Sequence, residues 1–441
     1  MKRYVLNFLA ISALVVGLVS CGKDSESEPY IPEPVPNPET PTTTPEEPET
    51  PKATTFTFSP LHVEGRFFKN DQGQTVIMHG FAQTFSPWFN EQGTQWSDYD
   101  VEGCLAYNKG IIDQILNAGW KMTFVRQHMD PYWSNTPGVQ TTGENDISAF
   151  DYNRFKDYLD QVFIPMAEYA ISSGLYVVMR PPGVCPEKIK KGDKYYNYLK
   201  IVWGYVSRHP KLKNNRYVLF ELCNEPIQIC NSKGQAIDNW NGATFDERGQ
   251  LLTEFMQGIV DVIRENCDNI VLVPGLHYQM LYSTFEKYPV QGKNIGYAVH
   301  CYPGWYNSGY DREVEVVYDK FKDGWDNEIM PIGREAPIVV TEMDWAPEKY
   351  ESSWGKAITG KAGKNGFGAN FIKICDDNCN VSWLVFTEGH LLAKYDDNAP
   401  DGKTFLTDPE ACPRPVYRKY LYYASEEYFN LVNSAGYGSG N

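Results

Sequence analysis

The stretch Tyr217-Val218-Leu219-Phe220-Glu221-Leu222-Cys223-Asn224-Glu225-Pro226 reads as a buried β-strand that stops abruptly at Asn-Glu-Pro, setting a carboxylate where strand gives way to loop. Parallel barrels keep their reactive groups at such strand ends, because the βα loops gather on one face. Downstream, Pro337-Ile338-Val339-Val340-Thr341-Glu342-Met343-Asp344-Trp345 repeats the pattern, a β-branched run ending in a second carboxylate. Two glutamates at two strand ends are the residue types that paired-carboxylate chemistry requires.

Working outward, short β-branched or aromatic runs alternate with longer amphipathic ones, the order expected of βα units around a parallel sheet. The expected strands are Thr75–Gly80, Met122–Gln127, Leu175–Arg180, Tyr217–Leu222, Asn269–Val273, Ile295–His300, Ile338–Glu342 and Val381–Thr387. Helical stretches fall between them: Asn108–Ala118, Tyr152–Ser173, Tyr196–Arg208, Thr253–Asn266 and Gly368–Asp376, with Tyr417–Phe429 closing the chain. Eight cycles close a barrel, so the sequence predicts an α/β fold of the (β/α)8 TIM-barrel class. Phe155, Leu159, Val162, Phe163, Met166, Tyr169 and Ala170 recur at helical spacing and form a packing stripe rather than a functional one. The segment from Leu61 to Lys69, with Asp71-Gln72-Gly73 as a turn, is expected to form a hairpin under the barrel.

The beginning of the chain is of another kind. Lys2-Arg3 precedes an apolar run from Tyr4 to Val19, which reads as a signal peptide over residues 1–20 rather than a membrane span. Leu18-Val19-Ser20-Cys21 resembles the bacterial lipoprotein box, which implies that Cys21 is acylated and becomes the new N-terminus. Residues 21–53 are poor in apolar side chains and rich in Pro, Glu and Thr, so they form an extended tether rather than a core. Gly22-Lys23-Asp24-Ser25-Glu26 resembles the acidic signals that send Bacteroidetes lipoproteins to the cell surface, so an outer-membrane, surface-exposed location is expected. Residues 54–441 read as one aromatic-rich folded domain.

The formal net charge of −16 argues against nucleic acid and against anionic lipid as partners, and is compatible with a neutral polymer. Membrane association is expected only through the lipid on Cys21, and the domain is expected to be a monomer. Of the ten cysteines, nine remain once Cys21 is set aside, so at least one is unpaired; Cys185 with Cys230, or Cys375 with Cys379, are candidate disulfides. Cys223 and Cys301 lie within strands and read as small core hydrophobes. No Cys/His spacing suits zinc, Asp396-Asp397-Asn398 with Asp401-Gly402 has the wrong spacing for a calcium loop, and no metal or cofactor is expected.

By the strand-end rule Arg126, Arg180, Asn224, Glu225, His300, Tyr302, Glu342 and Trp383 converge on the barrel mouth. Asn224-Glu225-Pro226 at strand four, His300-Cys301-Tyr302 at strand six, Glu342 at strand seven and Trp383 at strand eight resemble glycoside hydrolase family 5, among the retaining (β/α)8 glycosidases of clan A. The resemblance runs from Thr54 to Asn433. It implies Glu225 as acid/base, Glu342 as nucleophile, Arg126 as the strand-end arginine beside the nucleophile, and Asn224 as a hydrogen-bond partner of the sugar 2-hydroxyl. His300 and Tyr302 complete the expected substrate-binding set. Independently of any family, a guanidinium and a phenol near Glu342 would keep it ionised, while the charge of Glu342 would raise Glu225.

Trp383 is expected to stack on a pyranose ring, with Trp88, Trp133, Trp305 and Trp345 extending the cleft. Glu221 precedes the motif with its side chain assigned to another face, and no chemistry is assigned to it. One departure from the family pattern is Met179-Arg180-Pro181-Pro182-Gly183, where many cellulases of the family end strand three with histidine. That substitution tilts the expected substrate from cellulose, β-glucan or mannan toward xylan or another hemicellulose, cut by a retaining, endo-acting β-1,4-glycanase. The alternative is a non-catalytic glycan-binding surface lipoprotein on the same scaffold. An esterase would need a Gly-x-Ser-x-Gly turn, and none occurs in the barrel region.

Overall fold

The computed structural model describes residues 55–83, 100–308, 318–343, 367–386, 391–395, 403–405 and 415–439. The signal-peptide, tether and Cys21 expectations, together with Trp88, Trp345, the Asp396–Gly402 loop and Cys412, lie outside them. Among the described residues no helix is long and apolar enough to cross a membrane.

Eight parallel strands close into a barrel: His79–Gln83, Phe124–His128, Tyr176–Arg180, Val218–Glu221, Val271–Pro274, Ile295–His300, Ile338–Glu342 and Val381–Val385. Closure runs through the pairing of Trp383 with His79 and of Leu384 with Gly80, which joins the last strand to the first. Seven of the eight strands lie where the sequence puts them. The first does not: Thr75–Val76 pairs antiparallel with Phe67–Asn70, and the barrel strand begins four residues later at His79. The expected hairpin is therefore a three-stranded sheet, Leu61–Glu64, Phe67–Asn70 and Thr75–Val76. Its Leu61, Phe68 and Val76 belong to the same buried cluster as the barrel-filling Met78, Phe124, Tyr176, Leu219, Leu272 and Leu384, so the sheet plugs one end of the barrel.

Alternation sorts each strand into an inner and a helix-facing set. Phe124 belongs to the inner cluster, whereas Val125 faces the helices together with Ile112, Ile115, Val162 and Phe163. The expected helix Tyr152–Ser173 forms as Tyr152–Tyr158 and Ile164–Ser172 joined by a π-helical turn, Leu159–Phe163. Pro165, at the start of the second piece, has no N–H for the ladder and crowds the preceding turn, a physical reason for that turn to open. The eight cysteines among the described residues are free thiols, seven of them buried. Neither candidate disulfide is formed. Cys185 instead donates to the Tyr195 hydroxyl and Cys379 to the Asp376 carbonyl.

Candidate active site

Inward-facing polar residues appear at the strand ends opposite the plugging sheet, and Arg126 is their centre. It is fully buried on the second strand, where burial alone would discharge it. Its Nε and Nη2 bind the two carboxylate oxygens of Glu221 at 2.6 and 2.9 Å, its Nη1 binds Glu342 Oε1 at 2.7 Å, and its Nη2 also reaches Asn224 Oδ1 at 2.6 Å. Against the cost of burial these two anions hold the guanidinium charged. Glu221 thus faces into the barrel, contrary to the sequence expectation. Its Oε1 further accepts from Thr341 Oγ1 at 3.0 Å and Gln279 Nε2 at 3.1 Å.

Two local distortions aim the other carboxylates. The sixth and seventh strands shift register between Val299 and His300, so that His300 pairs with Glu342 although Val299 pairs with Val340. Thr341 is the extra residue of that bulge, which lets it reach Glu221 while Glu342 reaches Arg126 on the same side. At the fourth strand Glu225 takes a left-handed backbone, φ 54°, which turns its side chain out of strand alternation. Its N–H is held by Gln279 Oε1 at 2.8 Å. Gln279 is itself left-handed and fully buried, and its Nε2 also donates to the Ala298 carbonyl at 3.1 Å. One amide therefore ties Glu225 to the Glu221–Arg126 pair.

The two carboxylates meet across the mouth. His300 Nδ1 lies 3.1 Å from Glu225 Oε1 and 3.6 Å from Glu342 Oε2, and an oxygen of each glutamate and a nitrogen of the imidazole all fall within 4.8 Å of one another. Tyr302 donates its hydroxyl to Glu342 Oε2 at 2.5 Å. Burial pushes the Glu342 carboxyl upward, but His300, Arg126 and the Tyr302 hydrogen bond outweigh it and hold the group below the ordinary glutamate range. Glu225 goes the other way: burial and the Glu342 charge raise it above the ordinary range, against the His300 hydrogen bond. The Glu225 side chain keeps 26% of its surface open, Glu342 only 8%. Glu225, His300 and Glu342 also have the residue types of a metal site. Arg126 and Tyr302 each donate to one oxygen of Glu342, and the His300 ring stands between Glu342 and Glu225.

Arg180 is 3% exposed and turned into the protein. It donates to the Gly183 carbonyl and reaches Glu144 Oε2 at 3.4 Å, and its Nη2 lies 2.8 Å from His128 Nδ1. Gly183 sits at φ 80°, and an added Cβ would lie 2.3 Å from the Glu144 carbonyl oxygen, so only glycine fits that turn. His128 Nε2 in turn lies 3.0 Å from Arg126 Nη1. Burial and the two arginines hold the imidazole well below its usual pKa, so the ring is neutral and accepts from one guanidinium only.

Trp383 is not at the mouth. It is fully buried and helix-facing, stacked on Tyr420 at 4.9 Å between centroids and edge-on to His79 and Phe371. Its register partner Val340 faces the helices too, and parallel neighbours share a face. Phe386, three residues on, is partly buried, packs against the barrel-filling cluster and lies 6.2 Å from the His128 ring, which makes it the aromatic of this strand end nearest the site. Trp133, 1% exposed beside Tyr158, is core. Trp305 packs edge-on against Tyr302 at 5.2 Å. Sequence reasoning missed Glu221, Gln279 and His128. A glutamate inside an apolar strand demands a buried cation, which could have paired Glu221 with Arg126; nothing in Leu276-His277-Tyr278-Gln279 announces its left-handed backbone.

The sequence model of the family described as cellulase (glycosyl hydrolase family 5) matches residues 88–386, more than half of the chain. An endoglucanase of Bacillus sp. (strain KSM-635) is 30% identical over 142 residues; that match covers 31% of this chain and 14% of the relative, so the chain spans about a seventh of that relative's length. A β-glucanase of Saccharophagus degradans, solved in complex with cellotetraose, superposes with TM-score 0.55 at 17% identity, covering 87% of this chain and 98% of that one. Its native form superposes with TM-score 0.53 at 19% identity over the same shares. At these identities the two structures speak for the fold alone, and the family model, which spans more than half of the chain, decides the family: the chain belongs to glycosyl hydrolase family 5.

Proposed function

We propose that this protein is a retaining, endo-acting β-1,4-glycanase in which Glu342 is the nucleophile and Glu225 the acid/base. The observation that carries the reading is the opposite poise of two carboxylates held within 4.8 Å, near the spacing of about 5 to 5.5 Å that double displacement needs. In the first step Glu342, ionised by Arg126, His300 and Tyr302, attacks the anomeric carbon. The bond to the leaving oxygen breaks, Glu225 gives that oxygen its proton, and a glycosyl ester forms on Glu342. The Glu342 charge that raised Glu225 is then consumed, so Glu225 becomes a base. It takes a proton from water, whose oxygen attacks the same carbon and releases Glu342. Asn224, its carbonyl taken by Arg126, keeps its NH2 group as a donor for the sugar 2-hydroxyl.

β-1,4-Glucan and mixed-linkage β-glucan are the preferred substrates in this reading. The case for hemicellulose rested on Arg180, and that side chain is buried, with its guanidinium on the Gly183 carbonyl and Glu144 and beside His128. The endoglucanase and β-glucanase named among the similar proteins support the same substrate class. Proton NMR of the first products from cello-oligosaccharides tests the mechanism: β-anomers are expected to appear first, and α-anomers would overturn retention. Size-resolved products from a soluble polysaccharide panel test the rest, since release of monosaccharide alone would sink the endo reading. The chain is further proposed to be displayed on the outer membrane through lipid on Cys21, a role that loss of palmitate labelling in Cys21→Ala would support and unchanged labelling would refute.

A further inference from the structure

Two cysteines that are far apart in the chain meet behind the Asn224-Glu225-Pro226 turn. Cys223 follows the fourth barrel strand and immediately precedes Asn224, and Cys185 lies in the loop that leaves the third strand after Arg180. The Cys185 N–H donates to the Asn224 carbonyl at 2.8 Å, and the Cys223 thiol is hydrogen-bonded to the Cys185 thiol. Both pack against Tyr195, whose hydroxyl lies 3.3 Å from Cys185 Sγ and has both thiols as electrostatic neighbours. Cys223 is fully buried and Cys185 is 4% exposed.

The backbone under each thiol is fixed. On the Cys185 side, Tyr198 donates its hydroxyl to the Pro182 carbonyl at 2.8 Å and the Val184 N–H donates to the Glu144 carbonyl at 3.1 Å. On the Cys223 side, Trp203 Nε1 donates to the Leu222 carbonyl at 2.9 Å, and Arg126 holds the Asn224 side chain at 2.6 Å. A disulfide forms only between side chains whose backbones already stand at the right separation. Thiols in contact on two pinned segments meet that demand with little further ordering.

We propose that Cys185 and Cys223 are a modification site, joined in a disulfide when the chain folds with a disulfide oxidant, and that the bond braces the loop after the third strand against the Asn224-Glu225 turn. With oxidised glutathione as that oxidant, one cysteine sulfur attacks its S–S bond and expels one glutathione thiol. The second cysteine sulfur attacks the mixed disulfide at the first and releases the other glutathione. Two cysteine sulfurs are oxidised, one glutathione disulfide is reduced, and the two thiol protons end on the two glutathione sulfurs. Burial raises the folded Cys223 thiol well above its usual range and shuts out reagents, so the exchange belongs to the folding chain, in which both thiols are open. The same burial then shields the finished bond from reductants.

Refolding of the full, denatured and reduced chain in a mixture of reduced and oxidised glutathione tests the pair, read by alkylating free thiols in denaturant and mapping the peptides by mass. A peptide pair joined through Cys185 and Cys223, lighter by two hydrogens than its separate halves, is expected in most of the chains. Alkylation of both residues, or linkage of either one to a third cysteine, would overturn the pairing. The melting temperature of the oxidised protein is expected to fall by about 4 °C when the bond is reduced during refolding, with Cys185→Ala indifferent to the redox condition. An equal fall in both proteins, or none in the unmodified one, refutes the brace. The mass map needs no variant, so it decides the pairing whether or not Cys185→Ala folds.

Discussion

Replacing Glu221 by glutamine probes whether the buried pair behind the site governs both its stability and its acidity. The substitution keeps shape and removes one charge. Glu221 Oε2 accepts from Arg126 Nε at 2.6 Å, and Oε1 accepts from Arg126 Nη2, Gln279 and Thr341, so either orientation of a carboxamide points its NH2 group at a donor. Breaking a buried ion pair costs about 3–5 kcal/mol. Arg126 keeps Glu342, 2.7 Å away, which argues for the lower end, about 3 kcal/mol. For a folded unit from Ala53 to Asn441, an unfolding entropy of about 2.1 cal/mol/K per residue amounts to about 0.8 kcal/mol/K, so the melting temperature should fall by about 4 °C. The same change removes an anion near Glu342 and leaves Arg126 to it alone, so the Glu342 pKa should drop further. Because the reaction needs Glu342 ionised, the acid limb of kcat/KM should move to lower pH by about one unit, and kcat should fall as the guanidinium loses its bidentate anchor. Calorimetry and a pH–rate series on a soluble β-glucan measure both. A melting temperature within about 1 °C of the unmodified protein, or an acid limb displaced upward, would refute the argument.

Activity should follow a bell in pH, lost at low pH as Glu342 protonates and lost at high pH as Glu225, raised by burial and by Glu342, gives up its proton. Glu225→Gln should abolish the basic limb of the glycosylation step, read by pre-steady-state release of an activated aryl leaving group. Gln279→Leu removes the hydrogen bonds to the Glu225 N–H and to Glu221 and orphans buried groups, so kcat should fall by about 10- to 100-fold with KM nearly unchanged; an increase in KM alone would mean that Gln279 does not position the acid. Trp383→Ala should cost about 3–5 kcal/mol of stability and leave the product pattern intact. Phe386→Ala should instead weaken substrate binding, and comparison of melting curves with oligosaccharide product profiles separates the two.

The strand count, the barrel and the converging carboxylates were legible in the chain because each rests on local signals: an apolar run of the right length, then a polar residue where it ends. Glu225, Glu342, Arg126, Asn224, His300 and Tyr302 all sit at such ends, and the fold brings them together. The first strand was misplaced because Thr75–Val76 and His79–Gln83 are both short β-forming runs, and only pairing decides which one joins the barrel. Trp383 went wrong for a related reason. Val381-Ser382-Trp383-Leu384-Val385-Phe386 alternates without saying which set faces inward, and closure against His79 and Val340 turns the tryptophan toward the helices.

By itself the sequence determined the fold class and the strand-end residues of the candidate site, since hydrophobic periodicity and strand-end residue types are encoded locally. Only the tertiary structure decided the burial of Glu221 on Arg126, the inward turn of Arg180 and the anchoring of Glu225 by Gln279. Each of these depends on a neighbour dozens to hundreds of residues away, and on bulged or left-handed backbone that only packing holds in place.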